Sequence, residues 1–229
     1  MKSKILGMLA VGLLAGSLPA SAVPVTYYFS GEISAIEDPT GALAGTGIEL
    51  GTPFVGSVTW DTDVAPSFTG PWPVGGTASN YPENSAFGVS ALVGGSRSFV
   101  SDTAGALVIN DSFLGDEFAV TSKNAAVFDA PSLGWVYHGI WLIDLEGSAL
   151  GSTEPMPSSI NLADFDVRSF GISAYTGDCV ADCLYYRIDG EMTYMSLEPP
   201  PVPTPEPGTL ALLGLGLAGL GLSRRRKAA

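Results

Sequence analysis

From Leu184 to Tyr194 apolar and polar residues alternate. Leu184, Tyr186, Ile188, Gly190, Met192 and Tyr194 fall on one side, and Tyr185, Arg187, Asp189, Glu191 and Thr193 on the other. A period of two marks a β-strand with one buried face. Looser alternation predicts strands over 25–36, 53–60, 86–93, 98–100 with 106–109, 117–121, 135–145 and 165–175. Gly94-Gly95 and Asn110-Asp111 supply turn signals, while Asp189-Gly190, set inside a strong alternation, reads as a bulge. Sustained helical periodicity is missing between the two ends of the chain. The predicted fold is all-β, a single antiparallel β-sandwich or jelly roll of roughly eight to ten strands.

Two passages interrupt this rhythm. Residues 61–85 hold Pro66, Pro71, Pro73 and Pro82 with Gly70, Gly75 and Gly76, which predicts a long irregular loop. Residues 147–161, with Pro155 and Pro157, read as a connector. Tyr28-Phe29-Ser30-Gly31-Glu32-Ile33 and Arg187-Ile188-Asp189-Gly190-Glu191-Met192 share an apolar-x-Gly-Glu-apolar shape, which suggests that the first and last strands pair.

The ends follow different rules. Lys2 and Lys4 precede an apolar run from Ile5 to Leu18, and Pro19-Ala20-Ser21-Ala22 follows, with small residues at the −3 and −1 positions of a cut after Ala22. This is the pattern of a secretory signal peptide over residues 1–22, and it implies signal peptidase and the secretion machinery as partners. The predicted body is 23–197. A Pro-rich linker, 198–207, contains Pro205-Glu206-Pro207. After it come a short apolar segment, 208–223, and a basic tail, 224–229. Leu210 to Leu222 contains only Leu, Gly and Ala, about 20 Å as a helix against a hydrocarbon core of ~30 Å. A transmembrane helix this short, weakened by Gly214, Gly216, Gly219 and Gly221, suits a temporary inner-membrane anchor. Arg224, Arg225, Arg226 and Lys227 form its cytoplasmic stop-transfer cluster.

Pro205-Glu206-Pro207, a Leu/Gly-rich span and a terminal Arg cluster, in that order, resemble the PEP-CTERM sorting signal of Gram-negative bacteria that make extracellular polysaccharide. The same tail also goes by the label ice-binding protein C-terminal domain, a name that carries no information about ice. The resemblance implies an exosortase as partner, cutting near Pro205, Glu206 and Pro207, and release of the body to the outer surface or extracellular matrix. Extracellular polysaccharide is a candidate partner there. The body is also loosely similar to other exosortase substrates in its Gly-Glu-Ile first strand, its Pro53–Asp61 segment and its late Gly-Glu-Met strand.

Charge separates the parts further. The chain has 10 Lys and Arg against 23 Asp and Glu, net −13. All the acids lie between Glu32 and Glu206, where only Arg97, Lys123, Arg168 and Arg187 oppose them, so residues 23–206, the body with its linker, carry −19. Such a surface repels phosphate, which argues against nucleic-acid binding, and it concentrates cations. Cys179 and Cys183, spaced C-x3-C, are expected to form a disulfide in an oxidising compartment. That bridge requires a turn between them, because residues four apart on a straight strand are ~13 Å apart.

Candidate chemistry is sparse. His138 is the lone histidine, so a multi-histidine metal site is excluded; no Gly-x-Ser-x-Gly elbow or phosphate-cradling loop occurs. Asp61-x-Asp63, Asp144-x-Glu146 and Asp164-x-Asp166 place acids in pairs that suit Ca2+ ligation or a glycosidase pair, with solvated surface charge as the default. Asp61 and Asp63 lead because they open the 61–85 loop. Trp72, between Pro71 and Pro73 with Tyr81 nearby, is the candidate sugar-stacking ring, whereas Trp60, Trp135 and Trp141 are expected in the core. The reading is an exported structural or interaction module without catalytic residues or a required cofactor, Ca2+ being the one candidate ion. A secreted carbohydrate-active hydrolase and a Ca2+-dependent adhesin are the alternatives.

Overall fold

The computed structural model describes residues 24–123, 133–176 and 184–200, with backbone alone at 133–135 and 176. Its strands are β1 (Val25–Glu37), β2 (Pro53–Trp60), β3 (Phe68–Pro71), β4 (Thr77–Asn84), β5 (Phe87–Val93), β6 (Arg97–Ser101), β7 (Ala104–Ser112), β8 (Gly115–Ser122), β9 (Leu133–Asp144), β10 (Val167–Thr176) and β11 (Leu184–Ser196). The fold is all-β, with eleven strands where eight to ten were expected. They form one continuous antiparallel sheet in the order β3-β4-β7-β8-β9-β10-β11-β1-β2-β5-β6. The sheet curls until β5 packs against β7 and β8. All strands lie in a compact unit that ends at Pro199.

The first and last strands do pair. Glu32 lies opposite Glu191, and the ladder passes over Thr193 between the Ser30–Tyr194 and Gly31–Met192 pairs and over Ser34 between the Ile33–Gly190 and Ala35–Asp189 pairs. The bulge expected at Asp189-Gly190 is thus there, with its extra residue on β1. At this seam the glycines make room for rings. A Cβ on Gly31 would come within 2.7 Å of the Phe54 Cζ, one on Gly190 would overlap the same ring, and one on Gly56 would overlap Phe29. Phe54 packs against Phe170 of β10 at a centroid distance of 4.9 Å, and Phe29 against Phe170 at 5.6 Å.

Other contacts close the curl. Trp60 of β2 meets Phe118 of β8 at 5.2 Å, and Tyr81 of β4 meets Phe87 of β5 at 6.2 Å. The connector from β9 to β10 seals the space between the arms by burying Leu150, Met156, Ile160 and Leu162. It also satisfies buried polar groups: the Trp60 Nε1–H donates to the Pro157 carbonyl (2.7 Å), the Tyr81 hydroxyl to the Thr153 carbonyl (2.8 Å), and the Ile160 N–H to the Tyr27 hydroxyl (2.7 Å). Residues 147–161 are therefore a connector, as expected, and a packed one.

Three expectations are corrected. Residues 61–85 are no long irregular loop, because they contain β3 and β4 paired as a hairpin. The prolines are tolerated by position: Pro71 ends the edge strand β3, Pro73 lies in the tip, and Pro82 sits where the β4–β7 register shifts. Asn110-Asp111 is no turn, since β7 continues through a bulge in which Asp111 takes φ 56° and the hairpin tip falls at Phe113-Leu114. Trp141 is not core. Val136, His138, Ile140 and Leu142 are the inward positions of β9, so Trp141 stands half-buried on the outer face over Gly171.

Gly190→Ala is expected to destabilise the protein by about 1–3 kcal/mol in urea denaturation, because a methyl group there displaces the Phe54 ring. Gly151→Ala, which meets nothing within 4 Å, is expected to stay within about 0.5 kcal/mol of the parent.

Candidate functional site

Of the three acidic pairs, the fold brings two together. The end of β9 carries Asp144 and Glu146 beside Asp164 and Asp166, which precede β10, because Val167 pairs with Ile143. These side chains, with Ser148 and Phe165, line an open depression of about 550 Å3. Asp61 and Asp63 lie elsewhere, after β2, where the Asp61 carboxylate accepts the Asp63 N–H (2.8 Å) in a local turn.

The carboxylates of the depression are largely occupied by the chain itself. Asp144 is buried; its Oδ1 accepts the Glu146 N–H (2.9 Å), and its Oδ2 accepts the Ser148 N–H (2.6 Å) and Ala149 N–H (2.8 Å). Asp166 Oδ2 accepts the Leu145 N–H (2.9 Å), and Asp164 Oδ1 accepts from the Asn161 amide (2.8 Å). Glu146 is exposed. Led by the Ser148 N–H, these bonds hold the Asp144 carboxyl below the usual carboxylate range. A depressed carboxyl is a poor proton donor, whereas glycosidase acids are shifted upward. Burial raises Glu117, which stands between Ile109 and Ile143 on the outer face. Among the described residues, no group of three or more His, Cys, Asp or Glu is placed to hold a metal ion.

Asp116, unmarked in the sequence, is fully buried opposite Asp144. Its Oδ1 accepts the Asp111 N–H (2.8 Å) and its Oδ2 the Leu150 N–H (2.7 Å), which ties the β7 bulge to the connector. The signal was available in its inward phase with Phe118 and Val120, but an acid at such a position reads first as a strand end. His138 is also fully buried, its Nε2 3.2 Å from the Val89 carbonyl of β5. That pairing makes Nε2 the protonated nitrogen of a neutral ring, and burial pushes its pKa down.

The aromatic candidates divide. Trp72 is partly buried in the β3–β4 tip, its backbone N–H donating to the Gly76 carbonyl (3.1 Å). Tyr81 is core. Sequence reasoning missed the outer face of β9 and β10, where Tyr137 and Tyr175 meet edge to face at 5.9 Å. The alternation of β9 held that information, since a strand with Val136 and His138 inward must send Tyr137 outward. Cys179 and Cys183, the 1–22 and 208–223 segments, Pro205-Glu206-Pro207 and Arg224 to Lys227 lie outside the described residues, as does the Trp135 side chain. Among the described residues no helix is long and apolar enough to cross a membrane.

Residues 203–227 match the family model of the PEP-CTERM protein-sorting motif. No curated protein and no solved structure matches the chain. The tail is therefore a PEP-CTERM sorting signal, which marks a protein sorted through exosortase to the cell surface.

Two measurements address the buried polar groups. His138 is held neutral in the fold, so its contribution to stability is complete above ~6.5, the unfolded pKa, and declines as pH falls from there toward its lower folded pKa. Urea midpoints are expected to drop between pH 7 and 5.5, and to drop much less in His138→Gln. Asp116→Ala strands two backbone N–H donors and is expected to cost about 2–4 kcal/mol at pH 7, read by the same denaturation.

Proposed function

We propose that the protein is exported by its N-terminal signal, held briefly in the inner membrane by its tail, cut near Pro205-Glu206-Pro207 and left at the outer surface or in the extracellular matrix. The body then acts as a non-catalytic structural or interaction module. The observation that carries this reading is the sorting motif at 203–227. The body's geometry supports it. Tyr28 pairs with Ser196, so the chain enters and leaves the sheet at the same end of the strands. A module whose two termini share one rim can be tethered during export and released by one cut without disturbing its sheet. We read the curled sheet, with β5 against β7 and β8, as the expected sandwich in a continuous form.

Intact-mass and fractionation measurements on the native protein, with and without the producer's exosortase, test the proposal. The mature chain is expected to lack residues 1–22 and the segment after the motif, and to leave the membrane fraction. Loss of the exosortase, or Pro205→Ala with Glu206→Ala, should leave the C-terminus intact and the protein in the membrane fraction. An identical C-terminus and location in all strains would refute processing.

A further inference from the structure

One rim of the sheet gathers exposed apolar side chains from separate loops. Phe113 and Leu114, at the β7–β8 tip, are 84% and 58% exposed; Leu145, after β9, is 63% exposed; Val74, in the β3–β4 tip, is 40% exposed. The loops are joined. The Phe113 N–H donates to the Val74 carbonyl (2.9 Å), and a Cβ on Gly115 would lie 2.9 Å from the Leu145 Cα. Rings and leucines held up on braced tips expose apolar area without the backbone freedom of a loose loop.

The chain leaves the body along this same rim. The Asp116–Asp144, Val167–Ile143 and Ser169–Glu191 pairs align the start of β8, the end of β9, the start of β10 and the end of β11. Leu197, exposed, follows β11 about 15 Å away, three strand spacings from β8. Thirteen residues, 197–209, then separate the sheet from Leu210, a reach of at most about 45 Å.

We propose that this rim, formed by Val74, Phe113, Leu114 and Leu145, is a lipid-contacting surface that settles on the bilayer holding the tail before the tail is cut. The proposal rests on the membrane-anchored reading of the tail given above. A bilayer fits better than a second copy of the chain. Two bodies, each carrying −19 over residues 23–206, repel each other, and the exposed acids near the tips, Asp111, Glu146, Asp164 and Asp166, would meet their equivalents. A zwitterionic lipid surface takes apolar tips without that repulsion, and the tether supplies a high local concentration. The same acids predict weaker contact with anionic lipid.

The test uses the full chain with its tail, carrying Phe113→Trp, reconstituted into phosphatidylcholine vesicles with a brominated lipid. Flotation reports the tail, and the added indole emission, taken as the difference from the unsubstituted chain, reports the tip. Flotation with quenching of the added emission by about twofold is expected, weaker when phosphatidylglycerol is included at low salt. Adding Leu114→Ser and Leu145→Ser should restore the emission while the chain still floats. A floating chain whose added emission stays open to acrylamide and unquenched by lipid overturns the rim proposal alone. A chain that does not float overturns the anchor reading and this proposal with it. Emission already shielded from acrylamide before vesicles are added points to a second copy on the tips and also overturns it.

Discussion

The fold depends on the close approach of β1 and β11 around the Phe54 ring. Gly31, Gly56 and Gly190 remove side chains where the first, second and last strands meet, and Phe29, Phe54 and Phe170 fill the space. A sheet of eleven strands in one layer could stay open and expose an apolar face. Here β1 and β11, the first and last described strands, are interior neighbours, so pairing them joins the β2-β5-β6 arm to the β3-β4-β7-β8-β9-β10 arm. Trp60–Phe118 and Tyr81–Phe87 can then form across the curl, and burial of apolar area drives the closure.

Closure creates a polar problem that the connector and a few carboxylates resolve. Backbone donors in the loops need acceptors, and Asp116 and Asp144 supply them at buried and part-buried positions, Asp166 at an exposed one. The acidity that suggested ion binding is thus partly spent on shaping loops. Both oxygens of Asp144 are taken by its own connector, which leaves the depression beside it acidic but internally bonded.

Much of this architecture was legible along the chain. The β2 limits follow from alternation alone, and the repeated Gly-Glu shape anticipated the β1–β11 pair. The hairpin of β3 and β4 was hidden because proline counts against strands in general, whereas edge position and a register shift remove the objection in particular cases. Trp141 was misplaced because aromatic content argues for burial, while the phase set by Val136 and His138 argues for the opposite face. Asp144-x-Glu146 and Asp164-x-Asp166 were visible as pairs. Their meeting depends on the β9–β10 register, which no local pattern encodes.

The sequence by itself determined the sorting motif at 203–227, since such a signal is read as a linear string of a short motif, an apolar run and terminal charge. It determined the all-β character as well, because a period of two is a local property of the backbone. The tertiary structure decided the use of the buried polar side chains and the shared rim at which β1 begins and β11 ends. Those depend on which distant strands become neighbours when an eleven-stranded sheet curls on itself, and burial, hydrogen-bond satisfaction and exposure are defined only after that closure.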